Sequence, residues 1–203
     1  MSRTVRWSLM IAALVAAVGI AWLIFMLNQP AYAFEGGVYE PAEPAPPLNL
    51  TTQHDEPFSL ADLEGNVTLI YFGYTTCPDY CPTTISNFTV VKELLGEDAD
   101  RVKFVLVTFD PERDTPERLR QYLSFFDEEF IGLRGDEQQT EQVLKDYGVT
   151  VIRVDQPESA TEYLLDHSTR TYVIDPEGRL RLSFSYELPP ESMAADIRAL
   201  LND

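Results

Sequence analysis

Cysteine is nearly missing from this chain of 203 residues: there are two, Cys77 and Cys81, with three residues between them. A bridge across so short a loop removes little chain entropy, so a purely structural disulfide here would add little. Tryptophan is equally scarce. Trp7 and Trp22 both lie near the N-terminus, so none precedes the cysteine pair as in ordinary thiol–disulfide oxidoreductases, and three residues rather than two separate the thiols. Basic residues are few as well: 15 Lys and Arg stand against 33 Asp and Glu, for a net charge of -18. Phosphate backbones require a basic surface, so nucleic acid is excluded as a partner. No internal repeat is present, and the length allows one ordinary domain plus an appendage.

The appendage is the N-terminus. Residues 7–27 carry no charge and a single polar side chain, Ser8, and follow Arg3 and Arg6. A stretch of this length suits one transmembrane helix, and the positive-inside rule keeps the arginines cytoplasmic and exports the rest. Residues 1–27 therefore read as a cytoplasmic start and an anchor. Ala31-Tyr32-Ala33 offers a cleavage site as the rival. Both readings place the thiols outside the cytoplasm, where disulfides form, and a bacterial inner membrane with the domain facing the periplasm or outer side fits better than an organellar transit peptide. Residues 28–47 contain five prolines and read as an extended stalk, with Phe34 and Tyr39 available as anchors if the arm packs. The soluble domain is expected over residues 48–203.

Within that domain the cysteines stand where a strand gives way to a helix. Residues 67–72 are β-branched, aromatic and nearly all apolar, as in a central strand buried on both faces, and stop at Gly73. Pro82 suits a first helical position, and Ile85, Phe88, Val91 and Leu95 follow at helical spacing before Gly96. If the helix starts there, Cys81 lies at the cap, and the free amides and helix dipole lower its pKa. One turn of chain brings both sulfurs to the same side, close enough for a disulfide or for one soft metal ion.

Alternation continues along the chain. A second strand covers residues 102–109, Thr115 and Pro116 open a helix, and residues 130–133 form a short strand. Asp136 and Gln139 make a capping box for another helix ending at Gly148. Residues 150–154 suit a strand and 155–161 a loop, while runs at 170–174 and 180–186 flank Asp175-Pro176-Glu177-Gly178 as a hairpin before a last helix after Pro189 and Pro190. The pattern predicts an α/β thioredoxin-like fold with a mixed central sheet, preceded by the single N-terminal transmembrane helix.

Two histidines remain. His54 sits in a polar loop, whereas His167 stands in Leu165-Asp166-His167-Ser168 just before the hairpin and is the best candidate for a third donor. Two sulfurs and one imidazole suit copper, as Cu(I) or Cu(II), with zinc as competitor. Spacing alone leaves His167 open between a ligand and a hydrogen-bonded loop residue.

The segments 71–82, 110–116, 166–168 and 174–178, in this order and at these separations, resemble the SCO/SenC family over about residues 48–202. The resemblance implies a membrane-anchored metallochaperone that helps assemble the binuclear copper centre of cytochrome c oxidase. Copper would be held by Cys77, Cys81 and His167, with Asp110 supporting the site. It also implies subunit II of the oxidase, or another copper-accepting protein, as partner. A redox disulfide between Cys77 and Cys81 would switch metal loading, and the alternative function is a thiol–disulfide oxidoreductase that reduces acceptor cysteines or acts in redox signalling. A peroxidase on the same fold would carry a threonine where Tyr74 stands.

Overall fold

The computed structural model describes residues 2–27, 32–156 and 162–202. Helix α1 (Arg3–Leu27) forms one unit with the residues up to Ala33, and residues 34–203 form a second. The transmembrane span expected over residues 7–27 is not borne out: among the described residues, no helix is long and apolar enough to cross a membrane. Several side chains of α1, among them Ile11 and Phe25, lie outside the described residues, so the expected anchor rests on the sequence.

The second unit is built on an eight-stranded mixed sheet. Its strands are β1 (Gly37–Pro44), β2 (Asn49–Thr52), β3 (Pro57–Ser59), β4 (Val67–Gly73), β5 (Val102–Thr108), β6 (Ile131–Arg134), β9 (Thr171–Ile174) and β10 (Arg179–Phe184), in the order β1-β10-β9-β4-β5-β6-β2-β3. The central pair β4 and β5 runs parallel, with Val67 beside Val102 and Gly73 beside Thr108. Every residue of β4 is buried. That burial on both faces is what its uninterrupted apolar run requires. Period-two alternation sends Phe72 toward Tyr147 and Tyr172, at ring-centroid distances of 5.1 and 5.8 Å, and Tyr71 toward helix α2 (Tyr80–Leu95).

Helix α2 buries Ile85, Phe88, Val91 and Leu95, the residues whose spacing foretold it. It begins at Tyr80, two residues before the expected start. Helix α3 (Pro116–Ser124) opens with the Thr115 hydroxyl accepting from the Arg118 amide, and α4 (Glu137–Asp146) with the Asp136–Gln139 capping box. The β9–β10 hairpin forms as expected. Its Asp175 carboxylate accepts from the amides of Glu177 and Arg179. Helix α5 (Pro190–Leu201) packs beside α2.

Two stretches differ from expectation. The proline-rich stalk is drawn into the domain from Phe34 onward: β1 pairs antiparallel with β10, with its register shifted between Val38 and Glu43, the interval that holds Pro41. Prolines lack an N–H, so they are tolerated on an edge strand or at a bulge, and an edge is where β1 lies. The other difference is a separate two-stranded sheet, β7 (Val151–Gln156) paired with β8 (Glu162–His167), where a loop was expected over residues 155–161. Residues 157–161 of that expected loop lie outside the described residues.

The arm preceding β1 is fastened by Asp196 of α5, which is fully buried and accepts from the amides of Glu35 and Gly36 at 3.1 and 2.8 Å. Truncation at Asp196 removes two part-buried hydrogen bonds to a carboxylate, and a hydrogen bond to a charged group contributes about 1.5–3 kcal/mol. Asp196→Ala is expected to lower the unfolding free energy by about that amount, read as a lower urea midpoint at unchanged slope. An unaltered midpoint would show the arm to be energetically idle.

Candidate metal centre

The site gathers at the carboxyl end of β4. Between Gly73 and α2 the chain turns through Thr75, Thr76, Cys77 and Pro78, and this turn is pinned by a buried carboxylate. Asp114 accepts from the Thr75 amide at 3.0 Å, from the Thr75 hydroxyl at 2.5 Å and from the Thr108 hydroxyl at 2.6 Å. Burial raises the Asp114 pKa, and the three donors oppose the rise. Arg118 adds hydrogen bonds to the hydroxyls of Thr75 and Thr76.

Cys77 is half-buried and Cys81 fully buried. Because α2 begins at Tyr80, Cys81 is already the second helical residue, and the unpaired amides at the helix start serve the other sulfur. The Cys81 N–H points at Cys77 Sγ, 3.4 Å away. The pKa expectation is thereby corrected. Cys77, not Cys81, is lowered, to about 4; a hydrogen bond from Cys81 is the main cause, burial opposes it, and His167 and the amides of Asp79 and Cys81 add to it. Cys81 is pushed up, first because it holds the proton shared with Cys77 and then because it is buried. The pair therefore stores one thiolate outside and one thiol inside.

His167 closes the group from the end of β8. Its Nε2 lies 3.7 Å from Cys81 Sγ, and one ligand atom from each of Cys77, Cys81 and His167 falls within 4.8 Å of the others. The Nδ1 lies 2.9 Å from the Ser168 carbonyl oxygen, which can only accept, so Nδ1 carries a proton there and Nε2 is the ring nitrogen turned to the sulfurs. Aromatic rings hold the imidazole: Phe109 at 4.8 Å between centroids, Tyr71 at 6.0 Å and Tyr74 at 6.3 Å. Tyr71 also donates to Cys81 Sγ at 3.6 Å.

Asp110 does not reach the sulfurs or the imidazole. It is buried beside β8 and binds Arg113 and the Tyr163 hydroxyl. His54 is exposed between β2 and β3, away from the group. Sequence reading missed Tyr71, Tyr74, Phe109 and Asp114. Their residue types mark them as core or turn, and only the register of β4 and β5 brings them to the site.

A family model described as SCO1/SenC matches residues 38–202. The chain belongs to the SCO1/SenC family. Over 193 residues it is 36% identical to an SCO2-like protein of Rickettsia conorii, which covers 94% of each chain. Among solved structures, ScoI of Bradyrhizobium japonicum with copper bound superposes with a TM-score of 0.71 at 37% identity, covering 78% of this chain and all of that one. Copper-bound yeast Sco1 gives 0.70 at 27% identity over 77% and 87% of the two chains. This chain shares its overall fold with those copper-bound proteins.

The thiolate asymmetry has a chemical readout. Iodoacetamide should alkylate Cys77 at a nearly constant rate from neutral pH down toward 4, and the rate should fall only as pH drops through the Cys77 pKa of about 4. An ordinary thiol, with a pKa of about 8.5, slows tenfold per pH unit over that range. Peptide mapping that found both thiols behaving in the ordinary way would overturn the assignment. Gly73 supplies a steric test: a Cβ there would lie 3.0 Å from Cys81 Sγ and 2.8 Å from the Tyr71 ring. Gly73→Ala is expected to displace Cys81 and lower metal affinity while leaving the circular dichroism of the domain intact.

Proposed function

We propose that this protein is a copper-carrying metallochaperone of the cell envelope, with Cu(I) held by the thiolates of Cys77 and Cys81 and by Nε2 of His167. The observation that carries the proposal is the meeting of these three donors within 4.8 Å. Two soft sulfurs and an imidazole favour copper over hard cations, which want oxygen ligands. Copper-bound relatives in the same family, one at 37% identity, support the same metal.

Delivery follows from the site's asymmetry. Cys77 is the accessible sulfur, so an acceptor thiolate bonds to the metal as Cys77 leaves it, and His167 and Cys81 follow in turn. The acceptor proposed is the binuclear copper site of cytochrome c oxidase subunit II or a comparable thiol-bearing copper protein. The uncharged run at residues 7–27 behind Arg3 and Arg6 is the basis for proposing an inner-membrane anchor, with the second unit facing the periplasm.

A second activity is favoured by one observation, the lowered pKa of half-buried Cys77 beside a protonated, buried Cys81. Cys77 thiolate can attack an acceptor disulfide to form a mixed disulfide and release one acceptor thiolate. Cys81, losing its proton, then attacks Cys77 and releases the second. Two electrons pass to the acceptor and a Cys77–Cys81 disulfide remains.

The test uses the full chain in mild detergent, reduced and titrated with Cu(I) against a competing chelator. One copper per chain is expected. Cys77→Ser, Cys81→Ser and His167→Ala should each cost more than the roughly 10–100-fold that follows loss of an outer-sphere partner. A wild-type protein that yields its copper to a weak chelator would sink the carrier role and leave the pair as a redox couple.

A further inference from the structure

His167 reaches the cysteines from a strand that does not belong to the main sheet. Among the described residues β8 pairs only with β7, so the hydrogen-bond ladders that fix β4 and β5 do nothing to seat it. Its position depends on separate fastenings. Near the ligand these are the Leu165 amide donating to the Tyr74 hydroxyl at 3.1 Å and the Ser168 amide donating to the Thr150 carbonyl at 3.3 Å.

The densest fastening lies four residues before the ligand. Tyr163 is 5% exposed although it sits on a two-stranded ribbon. Its hydroxyl donates to Asp110 Oδ1 at 2.8 Å, and its carbonyl accepts from Arg113 Nη1 at 3.0 Å. The guanidinium carbons of Arg113 and Arg153 lie over its ring at 3.6 and 3.7 Å from the centroid. Arg113 is itself ion-paired to Asp110, and Arg153, from β7, to Asp155. Asp110 is anchored in turn: it follows β5 and Phe109, and its carbonyl accepts from the amides of Arg113 and Asp114. A carboxylate at the end of the central sheet thus grips a tyrosine on the outlying ribbon, and two cations stack on the ring.

Strand periodicity connects this grip to the metal centre. Side chains two apart share a face, so Tyr163, Leu165 and His167 point the same way, and a slip by one residue would turn all three outward. We propose that Tyr163, held by Asp110, Arg113 and Arg153, is the positioning residue that fixes the register and seat of β8, so that His167 Nε2 faces Cys81 Sγ. Tyr163 touches neither the sulfurs nor the imidazole, and its effect passes wholly through His167. This rests on the three-donor reading above. It gives Asp110 a definite role, as the sheet's hold on the ribbon.

The test is a double-mutant cycle on the full chain in detergent, read by Cu(II) competition and by the imidazole-nitrogen hyperfine coupling in the electron paramagnetic resonance spectrum. Tyr163→Phe keeps the ring and removes only the hydroxyl. Its expected effect is a roughly tenfold loss of Cu(II) affinity, the lower end of what loss of a supporting partner costs, with weakened nitrogen coupling and a thermal midpoint lowered no more than in the same substitution made in the His167→Ala background. Asp110→Asn, which keeps an acceptor for the hydroxyl, should lose less than Tyr163→Phe. In the His167→Ala background, Tyr163→Phe should cost nothing further. Wild-type affinity and coupling in Tyr163→Phe, while His167→Ala is impaired, would overturn the positioning role alone. So would an equal loss in the His167→Ala background, which marks general destabilisation. A His167→Ala variant with wild-type affinity would overturn the three-donor reading and this inference together.

Discussion

The structure depends on bringing Cys81 Sγ and His167 Nε2 within 3.7 Å when 86 residues separate them in the chain. Closing so long a loop is entropically costly, and a sulfur–nitrogen contact contributes too little to offset it. The apolar sheet supplies the difference. β4 is buried along its whole length and pairs with β5 on one side and β9 on the other, so it delivers Gly73 and the cysteine turn to a fixed place. β9 begins four residues after His167, so the pairing that buries Tyr71 beside Thr171 also limits where the imidazole can go.

Within that frame, two residues of helix length add to the difference between the two sulfurs. Had α2 begun at Pro82, its free amides would have faced Cys81. Beginning at Tyr80, it aims them at Cys77, and the buried position of Cys81 then keeps the second proton on. Pro82 still fits, because a residue in the first turn has no intrahelical acceptor for an N–H in any case. Helix boundaries are the least legible feature of a sequence, and here the boundary adds the amides of Asp79 and Cys81 to the Cys81 side chain in favouring the Cys77 thiolate.

What could be read from the sequence was local. The apolar run of β4, the Thr115 cap, the Asp136 capping box and the turn at Asp175 each carry their signal within a few residues, and each formed as read. The cysteine pair was legible for the same reason, and His167 because the chain has so few histidines. β1 was not, since its prolines erase strand periodicity and only an edge beside β10 accepts them. β8 was not, because its apolar pair Leu164 and Leu165 sits among polar residues, and it is seated through side chains distant in sequence: Asp110, Arg113 and the Tyr74 hydroxyl. The same is true of Tyr71, Tyr74 and Phe109, whose place around the imidazole follows from strand register rather than from any motif.

A carrier must hold its metal and also release it, and the two halves of this site are fastened in different ways. Both sulfurs belong to the β4–α2 junction, pinned by Asp114 through Thr75 and by the buried face of α2. The imidazole belongs to a ribbon outside the main sheet, fastened mainly through the side chains of Asp110, Arg113 and Tyr74. On the copper-carrier proposal, His167 is then the ligand that can withdraw without disturbing the core, and Cys77 the sulfur an incoming thiolate meets first. On the same proposal Cys81, buried in the core, would be the last of the three ligands to leave. Such a division would let the sheet keep its stability while the ribbon took part in release.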